Sequence, residues 1–284
     1  MACIHAYFTG ANYAPADALL EVASLALVPT ATWVLAPLAP PTPPGEATRT
    51  FLLLGWAPLV FYFFVSFLYF LADTLPSPAW VAAHKHQGEK GVVRRGAYLR
   101  ALLVALVSWF LVGLPWAWFI STVLAPLRGS PLASEPWRAA ELLHFPCYVA
   151  IIEVLFYASH RLLHVPALFP WVHKMHHAFT APFAVAAVYA HPLEHLVSNI
   201  LSISAGPLVM GSHPISGCLW GLVCILSTTA AHGGFAFDAH VSRPLHDVHH
   251  QRFDVNYGVG AFVLDKLRGT FDDGKGKRAN KSEK

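Results

Sequence analysis

Between Phe51 and Ala72 the sequence runs for twenty-two residues without a charged side chain, and nine of those residues are aromatic. A helix needs about 20 mostly apolar residues to cross a bilayer, so this stretch commits the chain to lipid. Leu99–Leu124 and Glu141–Ser159 repeat the pattern, and Ala18–Leu38 is expected to form an earlier span kinked at Pro29. The run Ala36–Glu46 must turn, because consecutive prolines cannot continue a helix. Leu196–Gly211 and Ile215–Ala231 are each short for a crossing and are broken up by Gly206, Pro207, Gly211 and Pro214. They read as a hairpin that dips into the bilayer or crosses it twice, with both ends on one face. The predicted fold is therefore all-α: a polytopic membrane helical bundle.

Composition agrees. Charged residues make up 12% of the chain, against about 25% in soluble domains. A net charge of +3 lacks the dense positive patches of a nucleic-acid binder. Lys85, Lys90, Arg94 and Arg95 lie in Asp73–Tyr98, which the positive-inside rule assigns to the cytosol. Counting spans from there puts Ala125–Ala140 in the lumen and His160 back on the cytosolic side. Cys3, Cys147, Cys218 and Cys224 have no C-x-x-C spacing and read as small apolar fillers. The N-terminus lacks a basic n-region and cleavage site, so the first apolar stretch is expected to stay as an anchor.

The anomaly is histidine: seventeen residues, more than Asp and Glu together. They cluster as HRLLH (His160, His164), HKMHH (His173, His176, His177) and HDVHH (His246, His249, His250). At this frequency one H-x-x-x-H is expected by accident, whereas two H-x-x-H-H boxes together have an expectation of about 0.002. Residues three and four apart share a helix face, so each box is expected to aim its imidazoles at a common point. Eight neutral imidazoles beside a membrane need a partner on desolvation, and metal is the usual one. Zinc takes four ligands; two octahedral irons would use eight or nine and leave positions open.

The other histidines have plainer readings. His5, His84, His86 and His144 read as surface residues, His213 as a turn residue, and His240 leans towards the surface. His232, ending an apolar helix near the third box, is expected as a ninth ligand, with capping as the alternative. His191 and Glu194 are expected behind the ligands, orienting them by hydrogen bonds. HPLEH (His191–His195) also matches an inverted zinc-protease motif, a reading that would leave the three boxes unexplained.

These boxes, in this order, resemble the membrane fatty acid hydroxylase/sterol desaturase superfamily over roughly Glu141–Phe271. HRLLHVPALFPWVHKMHHAFTAPFAVAAVYAHPLEH, AHGG around His232 and HDVHHQRFDVNYGVGAFVLDKLRGT look most like C-4 methylsterol oxidases. That group often has His-Ser-Gly where this chain has His232-Gly233-Gly234. The resemblance implies a di-iron centre on the cytosolic face of the endoplasmic reticulum, with O2 as co-substrate. It also implies electrons from NAD(P)H through cytochrome b5 or a similar carrier; the chain has no haem, flavin or dinucleotide motif of its own. The expected organisation is an N-terminal membrane region (1–140), a catalytic domain (141–271) and a basic disordered tail (272–284). The expected activity is hydroxylation of a sterol or related lipid. The alternatives are a sterol C-5 desaturase, a fatty acid hydroxylase, or a histidine-rich metal transporter, although a transporter would place polar groups within its spans.

Overall fold

The structure, a computed structural model, describes residues 29–32, 34–235 and 245–274. Most of the expected span Ala18–Leu38 lies outside the described residues, as do Cys3, His5, His240 and residues 275–284 of the expected tail. Helix is the only extended regular structure among the described residues, and four helices are long and apolar enough to cross a membrane. These are α1 (Glu46–Thr74), α3 (Arg95–Arg128), α4 (Ala139–Leu163) and α6 (Pro214–Gly233). Between them come the short α2 (Pro78–His84) and the interrupted helix α5, residues 192–209. Beyond α6 lie α7 (Leu245–Arg252) and α8 (Val263–Arg268). The proline-rich run ends at Gly45, whose φ of 84° suits glycine, and α1 starts at the next residue.

Three prolines inside α1 and α3 are absorbed in one way. A proline removes the N–H that would bond the carbonyl four residues back, and its ring crowds that carbonyl. Pro58, Pro115 and Pro126 are each preceded by a π-turn: Leu52–Trp56, Trp109–Gly113 and Ile120–Leu124. Each turn contains the affected carbonyl and widens the helix around it. At Pro207 the solution differs: the freed carbonyl of Ile203 accepts Trp220 Nε1–H from α6 at 3.0 Å. That bond fastens the hairpin of α5 and α6.

The direction of each helix follows from its end contacts. At one end of the bundle, Lys85 Nζ lies 2.7 Å from Asp73 at the close of α1 and also donates to Gly233 O at the close of α6. At the other end, Ser134 N donates to Glu46 at 3.1 Å, and His213 N to Glu141 at 2.9 Å. Helix α5 runs back between them, and Arg128 donates to Val209 O at 3.0 Å at its far end. The hairpin thus crosses the bundle and returns, so Glu194 and His232 lie at the same end. Large apolar side chains such as Val60, Phe64, Phe110, Trp118 and Val154 remain exposed on the outer faces, as lipid contact requires. Inside, the turn Ala184–Val188 is fully buried, and Tyr62 Oη donates to Val185 O at 2.9 Å.

One sequence expectation changes here. Lys85 was counted among the cations that orient the chain, but its side chain is 1% exposed and paired with Asp73, and it lies over the Phe235 ring at 3.8 Å. Of the four cations in Asp73–Tyr98, Lys90, Arg94 and Arg95 are exposed. A buried lysine with a carboxylate partner is a strut, not a topogenic signal.

Candidate metal centre

The histidine boxes meet at the end of the bundle where α4 and α6 finish. His160 sits in the last turn of α4, and His164 follows it. His232 sits in the last turn of α6, the second box follows the π-turn Phe169–His173, and the third box occupies α7. All nine rings are buried or half-buried. They fall into two donor groups: His160, His164, His173, His177 and His249, and His176, His232, His246 and His250. Within each group the donor atoms lie within 4.8 Å of one another.

The boxes do not each serve one point, as their spacing led us to expect. In the second, His173 and His177 join the first group while His176 joins the other; in the third, His246 and His250 join the second group while His249 crosses to the first. Successive helical residues diverge by about 100°, so an adjacent His-His pair cannot aim both rings one way, whereas i and i+4 nearly coincide. The doubled histidine is what bridges two sites.

Ring-nitrogen accounting gives the group its chemistry. His160 Nδ1 donates to Tyr257 O at 2.8 Å, His249 Nδ1 to Val255 O at 2.6 Å, His232 Nδ1 to Thr228 O at 2.8 Å and His250 Nδ1 to Phe179 O at 3.1 Å. His173 Nδ1 lies 2.9 Å from the Glu194 carboxylate. A neutral imidazole with a proton on Nδ1 has only a lone pair on Nε2. Yet His160 and His173 bring Nε2 atoms to 3.1 Å, as do His173 and His177, His177 and His249, and, in the other group, His232 and His246 and His246 and His250. Where both rings carry the proton on Nδ1, as for His160 and His173, lone pair faces lone pair, and the two repel unless a cation lies between them. With a metal–imidazole bond of about 2.1 Å, right-angle ligands sit about 3.0 Å apart and tetrahedral ones about 3.4 Å. The 3.1 Å separations fit right-angle coordination, His232 and His176 are wider at 3.4 Å, and the residues present fit a metal pair.

Burial, and then the neighbouring imidazoles, hold His173, His246, His249 and His250 well below the usual histidine range. They are neutral and ready to ligate at physiological pH.

Of the two residues expected behind the ligands, Glu194 also lies 4.0 Å from His176 Nδ1. His191 Nδ1 accepts from Leu193 N at 3.1 Å, capping α5. His191, Glu194 and His195 form no donor group among the described residues. His213 is the turn residue expected: Nδ1 accepts from Ile215 N, and Nε2 lies 3.1 Å from Glu135 O. His84 stacks on Trp80; Cys218 and Cys224 are buried free thiols.

The sequence reading missed the clamp that aims two of the carbonyls. Asn256, at φ 54°, donates from its amide to Leu245 O at 3.0 Å and Asp272 O at 2.8 Å. Buried Asp265 accepts from Tyr257 N at 2.9 Å and Gly258 N at 2.6 Å. Together they fix the loop that presents Val255 O and Tyr257 O to the ligands. The signal was there in Asn256-Tyr257-Gly258, since asparagine tolerates left-handed backbone. From the histidines a cavity of about 640 Å³ runs down the bundle between α1, α3, α4 and α6, past Trp109, Ile152, Ile203, Trp220 and Ile225. That is the size range of lipid-sized ligand pockets.

A membrane helical bundle capped by a paired imidazole cage is the class that fold and site define. Residues 145–270 match the fatty acid hydroxylase family. The chain is similar to the human fatty acid hydroxylase domain-containing protein 2, 36% identical over 214 residues, which cover 75% of this chain and 64% of the relative. It is also similar to a fatty acid hydroxylase of Mycosarcoma maydis, 30% identical across 78% of this chain and 57% of the relative. A putative methylsterol monooxygenase of Dictyostelium discoideum is 29% identical, across 74% of this chain and 80% of the relative. The chain thus spans under two thirds of the length of the first two. No solved structure matches it.

Proposed function

We propose that the chain is a membrane oxidoreductase that uses two irons, held by nine imidazoles, to insert oxygen from O2 into a lipid. The observation that carries this reading is the convergence of Nε2 atoms at 3.1 Å within two adjoining groups of buried imidazoles. Five donors in the first group exceed the four that zinc takes, whereas six-coordinate iron holds them with room to spare. His160, His164, His173, His177 and His249 would hold one iron; His176, His232, His246 and His250 would hold the other. Bound there, the irons would supply activation of O2 and removal of hydrogen from an unactivated C–H bond.

The chain's own residues do the rest. Backbone carbonyls of Tyr257, Val255, Thr228 and Phe179 hold four ligand rings in the metal-competent tautomer, and Glu194 does so for His173. The apolar cavity seats the lipid and excludes water from the reacting carbon. One oxygen atom goes to the substrate and one leaves as water, which requires two electrons and two protons. The chain resembles enzymes that draw these electrons from NAD(P)H through cytochrome b5. In this reading residues 141–271 form the catalytic domain, and the histidines face the cytosol at the endoplasmic reticulum.

A C-4 methylsterol is our first substrate, supported by the methylsterol monooxygenase relative; a fatty acyl lipid is second, supported by the fatty acid hydroxylase relative. Metal analysis of the purified chain tests the centre: about two irons per chain are expected, and variable zinc would favour a transporter. Lipid profiling of cells lacking the protein tests the substrate. Accumulated 4-methyl sterols support the first, and altered acyl lipids with unchanged sterols support the second. Product mass separates hydroxylation, a gain of one oxygen, from desaturation, a loss of two hydrogens.

A further inference from the structure

The cavity wall carries buried polar atoms that the histidine cage does not use. His195 and Ser198 on α5 are 2% and 3% exposed, and Trp109 on α3 is 6% exposed. All three line the cavity. His195 Nε2, Ser198 Oγ and Trp109 Nε1 have no hydrogen-bond partner among the described residues. One such atom in an apolar interior is costly; three along one wall point to a ligand that pairs with them.

Their donor pattern identifies the ligand's chemistry. Indole Nε1 can only donate. His195 Nδ1 lies 3.3 Å from the Asn199 amide nitrogen, which donates to it and leaves the ring proton on Nε2. The two rings meet edge-on, with centroids 6.1 Å apart, which puts both N–H-bearing side chains on the same stretch of the cavity lining, with Ser198 one turn along α5. Two fixed donors reject a cation. A full charge on the ligand would be expensive to desolvate in this apolar wall. A neutral hydroxyl or carbonyl oxygen satisfies every group.

We infer that Trp109, His195 and Ser198 form an oxygen-recognition subsite, so that the substrate is a lipid bearing a neutral hydroxyl or carbonyl oxygen. The rest of the molecule fills the apolar cavity. This rests on the lipid-oxidation reading and adds to it which lipids are admitted and which residues select them.

The test uses the full chain in nanodiscs and two matched pairs: cholesterol against 5-cholestene, and 1-hexadecanol against hexadecane. At least one oxygenated probe is expected to bind about tenfold or more tightly than its hydrocarbon. His195→Leu and Trp109→Phe should each shrink that gap to about threefold or less, with Ser198→Ala smaller. Hydrocarbon binding and iron per chain should stay unchanged, which shows that the variants are folded. Equal binding of both members of both pairs by the unaltered chain overturns the inference, as does a gap that survives in the folded variants. A gap without bound iron would sustain the subsite and sink the di-iron reading instead.

Discussion

The two ends of α6 each carry a histidine, and the contrast between them explains the site. His213, at the start, has both ring nitrogens engaged with backbone: Nδ1 accepts from Ile215 N, and Nε2 faces Glu135 O. His232, at the close, spends Nδ1 on Thr228 O and leaves Nε2 facing His246 at 3.1 Å. Both are buried, and both belong to the same helix. What separates a cap from a ligand is which nitrogen the backbone has already taken.

Predictions follow from this contrast. The largest effect is expected at the ligand end: His232→Ala or His249→Ala should lower iron from two to one or fewer per chain and reduce turnover at least 100-fold, read by metal analysis and product formation. Retention of both irons in either variant would break the distinction. Next, Glu194→Gln should keep the fold but weaken metal affinity by about 10–100-fold, as loss of a partner behind a ligand does, measured by competition with a chelator. Third, Trp220→Phe should cost about 1–3 kcal/mol by orphaning Ile203 O, seen as a lower Tm with iron unchanged. At the cap end, His213→Ala should cost about 1 kcal/mol, and His213→Asn much less, because asparagine also caps. Neither should alter metal content.

Acidification sharpens the same contrast. The buried box imidazoles titrate well below the usual value in the folded chain, so below pH of about 6.5 the unfolded chain binds more protons. Stability of the metal-free protein is therefore present above that pH and lost as pH falls through it. A Tm that rises on acidification would contradict the buried, neutral cage.

Much of this was legible in the sequence, for physical reasons. Phe51–Ala72 announced its span because lipid permits nothing but helix there, and the doubled histidines were too improbable to be incidental. The partition of each box between two donor groups was not legible, because it depends on where His160 and His232 arrive from other helices. Lys85 misled because a topogenic lysine and a buried strut look alike until Asp73 is placed beside it. Trp220 was unreadable for a similar reason: its task, serving the carbonyl freed by Pro207, is set by a neighbouring helix.

Gly233 has one further consequence. It follows His232 directly, and a Cβ there would lie 2.5 Å from the Tyr69 ring of α1. The His-Ser-Gly spelling expected of methylsterol oxidases therefore cannot be written into this chain without moving Tyr69. Serine at 233 demands a smaller or displaced side chain at 69, so the two positions should trade bulk for bulk wherever this architecture recurs, and redesign of the ninth imidazole must begin on the opposite helix.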